Sequence, residues 1–257
     1  MRAYEYQSRQ VEADGSIAWT ATEHDTWRQL IDSQNALLPQ RACDAYLSGI
    51  ETLGLSREQI PSLATLNQKL QQCSGWQIAT VPALINFDRF FALLANRQFP
   101  VATFIRRLED MEYLQEPDIF HEIFGHCPML TDPDFAAFTH TYGQLGLHAN
   151  HQQRVYLARL YWFTVEFGLL QTPVGLRIYG GGILSSPRET LHALDSQDCR
   201  RAPFELMTVL TTPYRIDHLQ PIYYVIHDLK ELYQLTKQDL LAAVNQAIGL
   251  KQIPLQN

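Results

Sequence analysis

The stretch EPDIFHEIFGHCP, residues 116–128, decides which fold and which chemistry the rest of the chain must support. It carries two histidines, His121 and His126, five positions apart. The zinc-protease motif HExxH places its histidines four positions apart, about 40° from each other around a helix, so both reach one metal. Five positions correspond to about 140° on a regular helix. The pair can share a metal if the helix ends between them, which Gly125 and Pro128 favour.

A third ligand is predicted in the apolar stretch YWFTVEFG, residues 161–168. Glu166 is its only charged residue, and a buried lone carboxylate is costly unless it becomes neutral or binds a cation. With His121 and His126 it forms a set of two histidines and one carboxylate. Such a set leaves coordination positions open and is typical of non-haem Fe(II) enzymes that activate oxygen.

Spacing alone leaves three other interpretations open. In the first, the histidines are core side chains bonded to backbone groups, and Glu166 pairs with a buried arginine. In the second, the same three residues hold catalytic zinc, and Glu122 is the general base of a hydrolase. In the third, a metal only stabilises a protein without catalytic activity.

The composition excludes several classes of protein. Among 257 residues, 46% are hydrophobic, which is typical of a folded soluble chain. With 27 acidic against 20 basic residues, binding to nucleic acid or to an anionic membrane is not expected. The apolar runs are too short to span a membrane, and the polar N-terminus lacks a signal-peptide core. Four scattered cysteines without a CxxC pair indicate reduced thiols and a cytoplasmic protein.

The hydrophobic pattern predicts one mainly α domain over residues 1–257, with a few short β-strands. Residues 1–20 are predicted to be a loose arm and residues 237–250 a C-terminal helix. Other helices are predicted over residues 87–96, 133–147 and 152–170, and strands over residues 77–81, 101–105, 176–179 and 223–226. The sequence SPRE, residues 186–189, combines a capping box with proline at the first helical position.

Four motifs together resemble the pterin-dependent aromatic amino acid hydroxylases, especially their short bacterial members. They are YLQEPDIFHEIFGHCP at 113–128, RLYWFTVEFGL at 159–169, RIYGGGILSS at 177–186 and YRID at 214–217. The resemblance implies a single catalytic domain of that type, without a preceding regulatory domain. It also implies Fe(II) bound by His121, His126 and Glu166, with tetrahydrobiopterin and O2 as co-substrates.

The resemblance implies the remaining site residues as well. Arg106 matches the arginine that binds the substrate carboxylate, and its planar fork suits a bidentate pair. The other expected substrate-binding residues are Tyr113, Pro117, Trp162, Ser185 and Ile216. The expected pterin-binding residues are Val81, Ala83, Leu84, Ile85 and Phe90, together with Glu122 and Tyr161, which are also the expected catalytic residues. Without the family, Phe90 and Trp162 would be interpreted as core aromatic residues and Arg106 as a salt-bridged one.

The expected reaction is para-hydroxylation of L-phenylalanine to L-tyrosine, in phenylalanine breakdown or in tyrosine supply. Ile216 falls where tyrosine hydroxylases carry an acidic residue, and an apolar side chain there suits a ring without a hydroxyl. Tryptophan is the competing substrate. The tail after residue 233 is too short for the tetramerisation helix of animal members, so a monomer or homodimer is expected, with small molecules as its other partners.

Overall fold

The structure, a computed structural model, describes residues 6–111 and 116–254. Tyr113 lies outside the described residues. The α-helices are α1 Ala21–Leu37, α2 Asp44–Leu53, α3 Leu63–Ser74, α4 Phe87–Ala95, α5 Pro133–His148, α6 His151–Tyr161, α7 Gly181–Leu184, α8 Pro187–Asp195, α9 Leu206–Thr211, α10 Lys230–Leu235 and α11 Leu240–Ile248. The strands are β1 Gln77–Val81, β2 Gln98–Ala102, β3 Leu169–Thr172, β4 Gly175–Ile178, β5 Arg200–Pro203 and β6 Ile222–Ile226.

The prediction of a mainly helical fold with a few short strands is confirmed. Strands β1 and β2 form a parallel pair, and a second sheet has the order β4-β3-β6-β5. In that sheet β3 pairs antiparallel with β4, whereas β6 runs parallel to both β3 and β5. No helix within the described ranges has the length and apolar character needed to cross a membrane.

Two predicted boundaries are wrong for identifiable reasons. The helix predicted over 152–170 ends at Glu166, and Leu169 already begins β3. The strand predicted over 101–105 begins earlier and ends earlier, as β2 Gln98–Ala102. Pro100 lies inside β2, and a sheet tolerates proline there because β2, as far as the described residues show, pairs with β1 alone and is an edge strand.

The predicted start of α8 is correct, but its cap is only half of a capping box. The hydroxyl of Ser186 accepts a hydrogen bond from the backbone N–H of Glu189 at 3.3 Å. The carboxylate of Glu189 does not return the bond. It accepts instead from the backbone N–H of Gln220 at 3.1 Å and from the hydroxyl of Tyr223. The first turn of α8 is thereby joined to the segment that precedes β6.

Residues at the two ends of the described chain pack on the same domain. The backbone N–H of Arg9 donates to the carbonyl of Thr103 at 2.7 Å, and the hydroxyl of Thr103 donates to the carbonyl of Arg9. Near the other end, the amide of Gln153 on α6 donates to Asn245 on α11 at 2.9 Å.

An aromatic cluster fixes the helix that carries both histidines. The rings of Phe120 and Phe124 stack with centroids 4.8 Å apart, and Trp27 of α1 meets Phe120 edge-on at 5.4 Å. Tyr46 of α2 packs against Phe124, and its hydroxyl donates to the carbonyl of Phe124 at 2.7 Å. All four side chains are almost completely buried. The histidine segment is therefore anchored between the first two helices.

Tyr46→Phe should lower the free energy of unfolding by about 1–2 kcal/mol, because the buried carbonyl of Phe124 loses its side-chain donor. Urea denaturation followed by circular dichroism measures this loss. The matched control is Tyr233→Phe, since the ring of Tyr233 is only partly buried and lies against Lys237. The control should change stability by less than about 0.5 kcal/mol. Equal losses in both variants would contradict the proposed anchoring by Tyr46.

Candidate metal centre and adjoining pocket

The two helical segments that carry the predicted ligands are wider than α-helices. Residues His121–His126 and Trp162–Glu166 are π-helical. Their i→i+5 hydrogen bonds include Cys127 N–H to the carbonyl of Glu122 at 3.3 Å and Phe167 N–H to the carbonyl of Trp162 at 2.8 Å. The prediction that the helix ends between the histidines is therefore wrong. The helix widens instead, which brings side chains five positions apart onto one side, and such π-segments are frequent at functional sites.

The structure brings the three predicted ligands together. The Nε2 atoms of His121 and His126 are 3.1 Å apart. The Oε2 atom of Glu166 lies 3.3 Å from Nε2 of His126 and 3.6 Å from Nε2 of His121. Within the described ranges, this is the one group of three histidine, cysteine or acidic side chains with donor atoms that fit a metal.

The protonation states of these side chains suit a divalent cation. Burial lowers the pKa of His121 to about 4, so the imidazole is neutral at neutral pH. Burial alone would raise the pKa of Glu166, but electrostatic attraction to His126, a hydrogen bond with His126 and attraction to His121 outweigh burial, so the pKa lies below its ordinary value. A divalent metal binds neutral imidazole and ionised carboxylate, so the lowered pKa values of His121 and Glu166 favour the metal-binding forms of these two side chains.

Ser185 fixes the orientation of His121. The serine hydroxyl donates to the carbonyl of Gly181 at 2.8 Å, so its oxygen accepts from Nδ1 of His121 at 2.9 Å. With the proton on Nδ1, the lone pair of Nε2 points toward the other two ligands. Hydrogen bonds of this kind orient metal-binding histidines and raise their basicity.

His126 is held by packing rather than by a hydrogen bond to its second ring nitrogen. Its Nδ1 atom is buried and has no protein partner among the described residues. The ring lies 5.2 Å from that of Phe99, and a Cβ on Gly181 would come within 2.4 Å of Nδ1. Gly180 is similarly close to the third ligand, because a Cβ there would lie 2.4 Å from the carbonyl oxygen of Glu166.

Arg106 forms a buried ion pair with Asp118, a residue that the sequence analysis did not assign to the site. Nε and Nη2 of Arg106 donate to the two carboxylate oxygens, each at 2.9 Å. Asp118 also accepts the backbone N–H groups of Arg106 and His121. Burial raises the pKa of Asp118, but Arg106 and these hydrogen bonds bring it below its ordinary value. Asp118 therefore joins the predicted carboxylate-binding arginine to the metal-binding helix.

Trp162 forms an aromatic wall beside the candidate metal centre. Its ring stacks on that of Tyr214 with centroids 4.2 Å apart and an angle of 12°, and Phe167 lies 4.5 Å away. Ile216 belongs to the same loop as Tyr214 but is 51% exposed, so it lies at the surface of that loop. Pro117 is partly buried directly before Asp118.

Two of the residues predicted to bind pterin, Phe90 and Tyr161, are in contact with each other. Phe90 of α4 meets Tyr161 of α6 edge-on, with centroids 5.4 Å apart. The segment from the end of β1 to α4 precedes Phe90 in the sequence. In this segment Val81 is buried, Ala83 and Ile85 are partly buried, and Leu84 is 67% exposed.

Tyr161 and Glu122, which are both predicted to bind pterin, are affected by the charges at the metal centre. Burial raises the pKa of Tyr161 well above its ordinary value, and the charges of Glu166 and Glu122 raise it further. Glu122 is itself buried, and its pKa is raised by burial and then by the charges of Glu166 and Asp118. Glu122 and Tyr161 therefore lie close enough to the ligand set to sense its charge.

Sequence reasoning missed Asp118, Tyr214 and Gln220 as parts of this region. Asp118 stood inside the quoted motif, but nothing in the sequence shows that Arg106, twelve positions earlier, is buried and pairs with it. The signal for Tyr214 was its place in the YRID motif. Gln220 had none, because its hydrogen bonds join segments far apart in the chain.

Known proteins of one family match almost the whole chain. The model of the family described as biopterin-dependent aromatic amino acid hydroxylase matches residues 2–251. The chain is 58% identical over 244 residues to phenylalanine-4-hydroxylase of Vibrio cholerae, covering 95% of this chain and 84% of that protein.

Solved structures agree with this match. The apo structure of the cold-active phenylalanine hydroxylase from Colwellia psychrerythraea superposes with a TM-score of 0.95 at 50% identity, covering 96% of each chain. Phenylalanine hydroxylase from Chromobacterium violaceum, solved with cobalt and with oxidized Fe(III), gives TM-scores of 0.90 at 43% and 42% identity. Both alignments cover 97% of this chain and 90% of that one. The fold is thus of the aromatic amino acid hydroxylase type, and this chain belongs to the biopterin-dependent aromatic amino acid hydroxylases.

Proposed function

We propose that this protein is a phenylalanine 4-monooxygenase, which converts L-phenylalanine to L-tyrosine with O2 and tetrahydrobiopterin. The observation that carries the proposal is the convergence of His121, His126 and Glu166 beside the Arg106–Asp118 pair. Phenylalanine-4-hydroxylase is also the name of the relative with 58% identity. The zinc hydrolase considered from spacing is not retained, because the chain belongs to a family of hydroxylases.

The ligand set fits Fe(II), since two neutral imidazoles and one carboxylate leave coordination positions for small molecules. Bound Fe(II) and tetrahydrobiopterin together supply the activation of oxygen. Ser185 keeps the Nε2 lone pair of His121 directed at the metal position. The residues around Glu166 in the sequence are mostly apolar and aromatic, which limits the access of water to a reactive centre.

Arg106 is proposed to bind the carboxylate of the amino acid substrate. Its pairing with Asp118 uses two of the five guanidinium N–H groups, so donors remain for a second carboxylate. Asp118 holds the fork rigid and also binds the backbone of His121, so the substrate carboxylate and the metal are positioned by one side chain. The aromatic wall around Trp162 is proposed to contact the aromatic ring of the substrate, together with Pro117, Ile216 and Tyr113.

Phe90 is proposed to stack on the pterin ring, with Val81, Ala83, Leu84 and Ile85 along its edge. The edge-on contact with Tyr161 fixes the plane of the Phe90 ring, which orients the face that stacking requires. Glu122 is proposed to hold a proton next to the pterin, in keeping with the burial that raises its pKa. In this proposal Glu122 and Tyr161 contact the pterin without binding the metal.

Three finer statements are also proposals. Residues 1–257 form one catalytic domain, supported by a family match over 2–251. The protein works in the cytoplasm, supported by four cysteines that are all free thiols. It acts as a monomer or homodimer, in phenylalanine breakdown or tyrosine supply.

The proposed reaction is tested by loading metal-free protein with Fe(II) or Zn(II) and adding O2, tetrahydrobiopterin and L-phenylalanine. Tyrosine should form only with Fe(II) and pterin, because zinc has no redox chemistry. Chromatography of the products measures tyrosine. A folded, iron-loaded sample that forms no tyrosine would contradict the proposal, and the same assay with L-tryptophan then tests the competing substrate.

Ser185→Ala should weaken Fe(II) binding about 10- to 100-fold, because His121 loses the partner that fixes its tautomer. Titration with Fe(II) under anaerobic conditions, followed by calorimetry, measures the affinity. Ser196→Ala, at the other end of α8, is the matched control and should leave the affinity unchanged. Equal affinities in wild type and Ser185→Ala would rule out this orienting role.

Arg106→Lys should raise KM for phenylalanine about 10- to 100-fold, because lysine cannot make the bidentate pair that Arg106 forms. KM for tetrahydrobiopterin should stay within about twofold, since Arg106 is not assigned to the pterin site. Arg107→Lys, at the adjacent and exposed position, is the matched control. A similar rise in KM for both variants would refute the assignment of Arg106.

A further inference from the structure

Gln220 joins two parts of the aromatic wall through its side chain. It lies just before β6 and is only 2% exposed. Its Oε1 atom accepts the indole N–H of Trp162 at 2.9 Å. Its Nε2 atom donates to the carbonyl oxygens of Arg215 and His218, both at 3.0 Å. One amide therefore holds both the tryptophan and the loop over residues 214–218.

The backbone of Gln220 is fixed as firmly as its side chain. Its N–H donates to the carboxylate of Glu189 at 3.1 Å, and the hydroxyl of Tyr223 donates to the same carboxylate oxygen. The carbonyl of Gln220 lies 3.1 Å from Nε2 of His192. Glu189 and His192 both belong to α8, whose preceding turn carries Ser185. The amide is therefore anchored on the element that adjoins the metal centre.

The bonds of Gln220 control two separate aspects of the wall. The bond to Nε1 fixes how far the Trp162 indole is rotated. The bonds to Arg215 and His218 fix the loop whose Tyr214 ring covers one face of that indole at 4.2 Å. Stacking alone would allow the rings of Trp162 and Tyr214 to shift together. The side-chain amide of Gln220 prevents this, because it bonds to Trp162 and to the loop of Tyr214 while its own backbone is bonded to α8.

We propose that Gln220 is a positioning residue for the aromatic substrate, which sets the place of the ring by holding Trp162 and the 214–218 loop at a fixed separation. This inference rests on the proposed function, because it assigns Trp162 to the wall that the substrate ring contacts. Gln220 itself does not touch the substrate.

Stability alone does not distinguish this role from a structural one, because any loss of these hydrogen bonds destabilises the fold. Positioning has a separate consequence for the reaction. A substrate ring that is free to move is less often oriented for the reaction. Tetrahydropterin is then oxidised without hydroxylation of the ring. The coupling ratio, tyrosine formed per tetrahydropterin oxidised, therefore reports on the position of the ring.

The principal variant is Gln220→Met, which keeps the length of the side chain and removes its donors and acceptor. We expect KM for phenylalanine to rise about tenfold and the coupling ratio to fall, with KM for tetrahydropterin within about twofold of wild type. In 15N spectra, the indole N–H of Trp162 should lose its protection from hydrogen exchange, with the signal assigned from Trp162→Phe. Gln220→Glu retains an acceptor for Trp162 and should restore part of this protection.

Thr212→Val is the matched control. Thr212 is buried two residues before the 214–218 loop, and its hydroxyl shares a hydrogen bond of 2.7 Å with the hydroxyl of Tyr224 rather than with Trp162 or Gln220. This variant should lose stability as Gln220→Met does, yet keep the wild-type coupling ratio and KM for phenylalanine. A control that uncouples to the same extent would overturn the proposal.

A double-mutant cycle with Trp162→Phe tests whether Gln220 acts through the indole. The effects of Gln220→Met and Trp162→Phe on KM should not add if it does, and additive effects would overturn the proposal. A lowered stability with unchanged KM, coupling and indole protection would overturn it as well. If wild-type protein forms no tyrosine, the proposed function fails. Calorimetric binding of phenylalanine and indole exchange then still decide whether Gln220 positions the wall.

Discussion

Three ligand side chains have to converge inside an apolar part of the protein, and the remaining structure depends on this constraint. A regular helix directs His121 and His126 apart, so the backbone widens to i→i+5 hydrogen bonds at this point. The segment that carries Glu166 widens in the same way. A widened turn is less stable than an α-helical one and persists where tertiary packing holds it. The buried contacts of Phe120 and Phe124 with the first two helices provide that packing.

Buried polar groups around the centre are connected rather than isolated. Asp118 neutralises Arg106 and also binds the backbone at His121, while Ser185 binds the ring of the same histidine. Removing one partner from such a buried pair leaves an uncompensated charge, which is strongly destabilising. Arg106, which is proposed to bind substrate, and the metal ligand His121 are therefore held by the same side chain, so a substitution at Asp118 should affect both.

Local pattern was enough to predict the ligand residues, the helical class and several strands, because each depends on residues close in sequence. The ligands were found from a lone carboxylate among aromatic residues and from two histidines in one motif. The widened helix was not predictable, because the sequence does not show the tertiary contacts of Phe120 and Phe124 that pack against it. The partner of Arg106 was missed for a similar reason, since burial of that arginine is invisible in the sequence. The roles of the substrate and pterin residues stay predictions.

The close approach of Gly180 to the backbone of Glu166 limits which side chains can stand next to this metal ligand. A methyl group there would meet main-chain atoms of Glu166 and Gly168, which have no alternative rotamer to adopt. Position 180 is therefore closed to larger side chains as long as Glu166 keeps this backbone position. New substrate preferences are instead expected in the loop around Ile216, which is exposed and whose side chains have room to change. Substitutions that change substrate preference are thus expected in that loop and not at position 180.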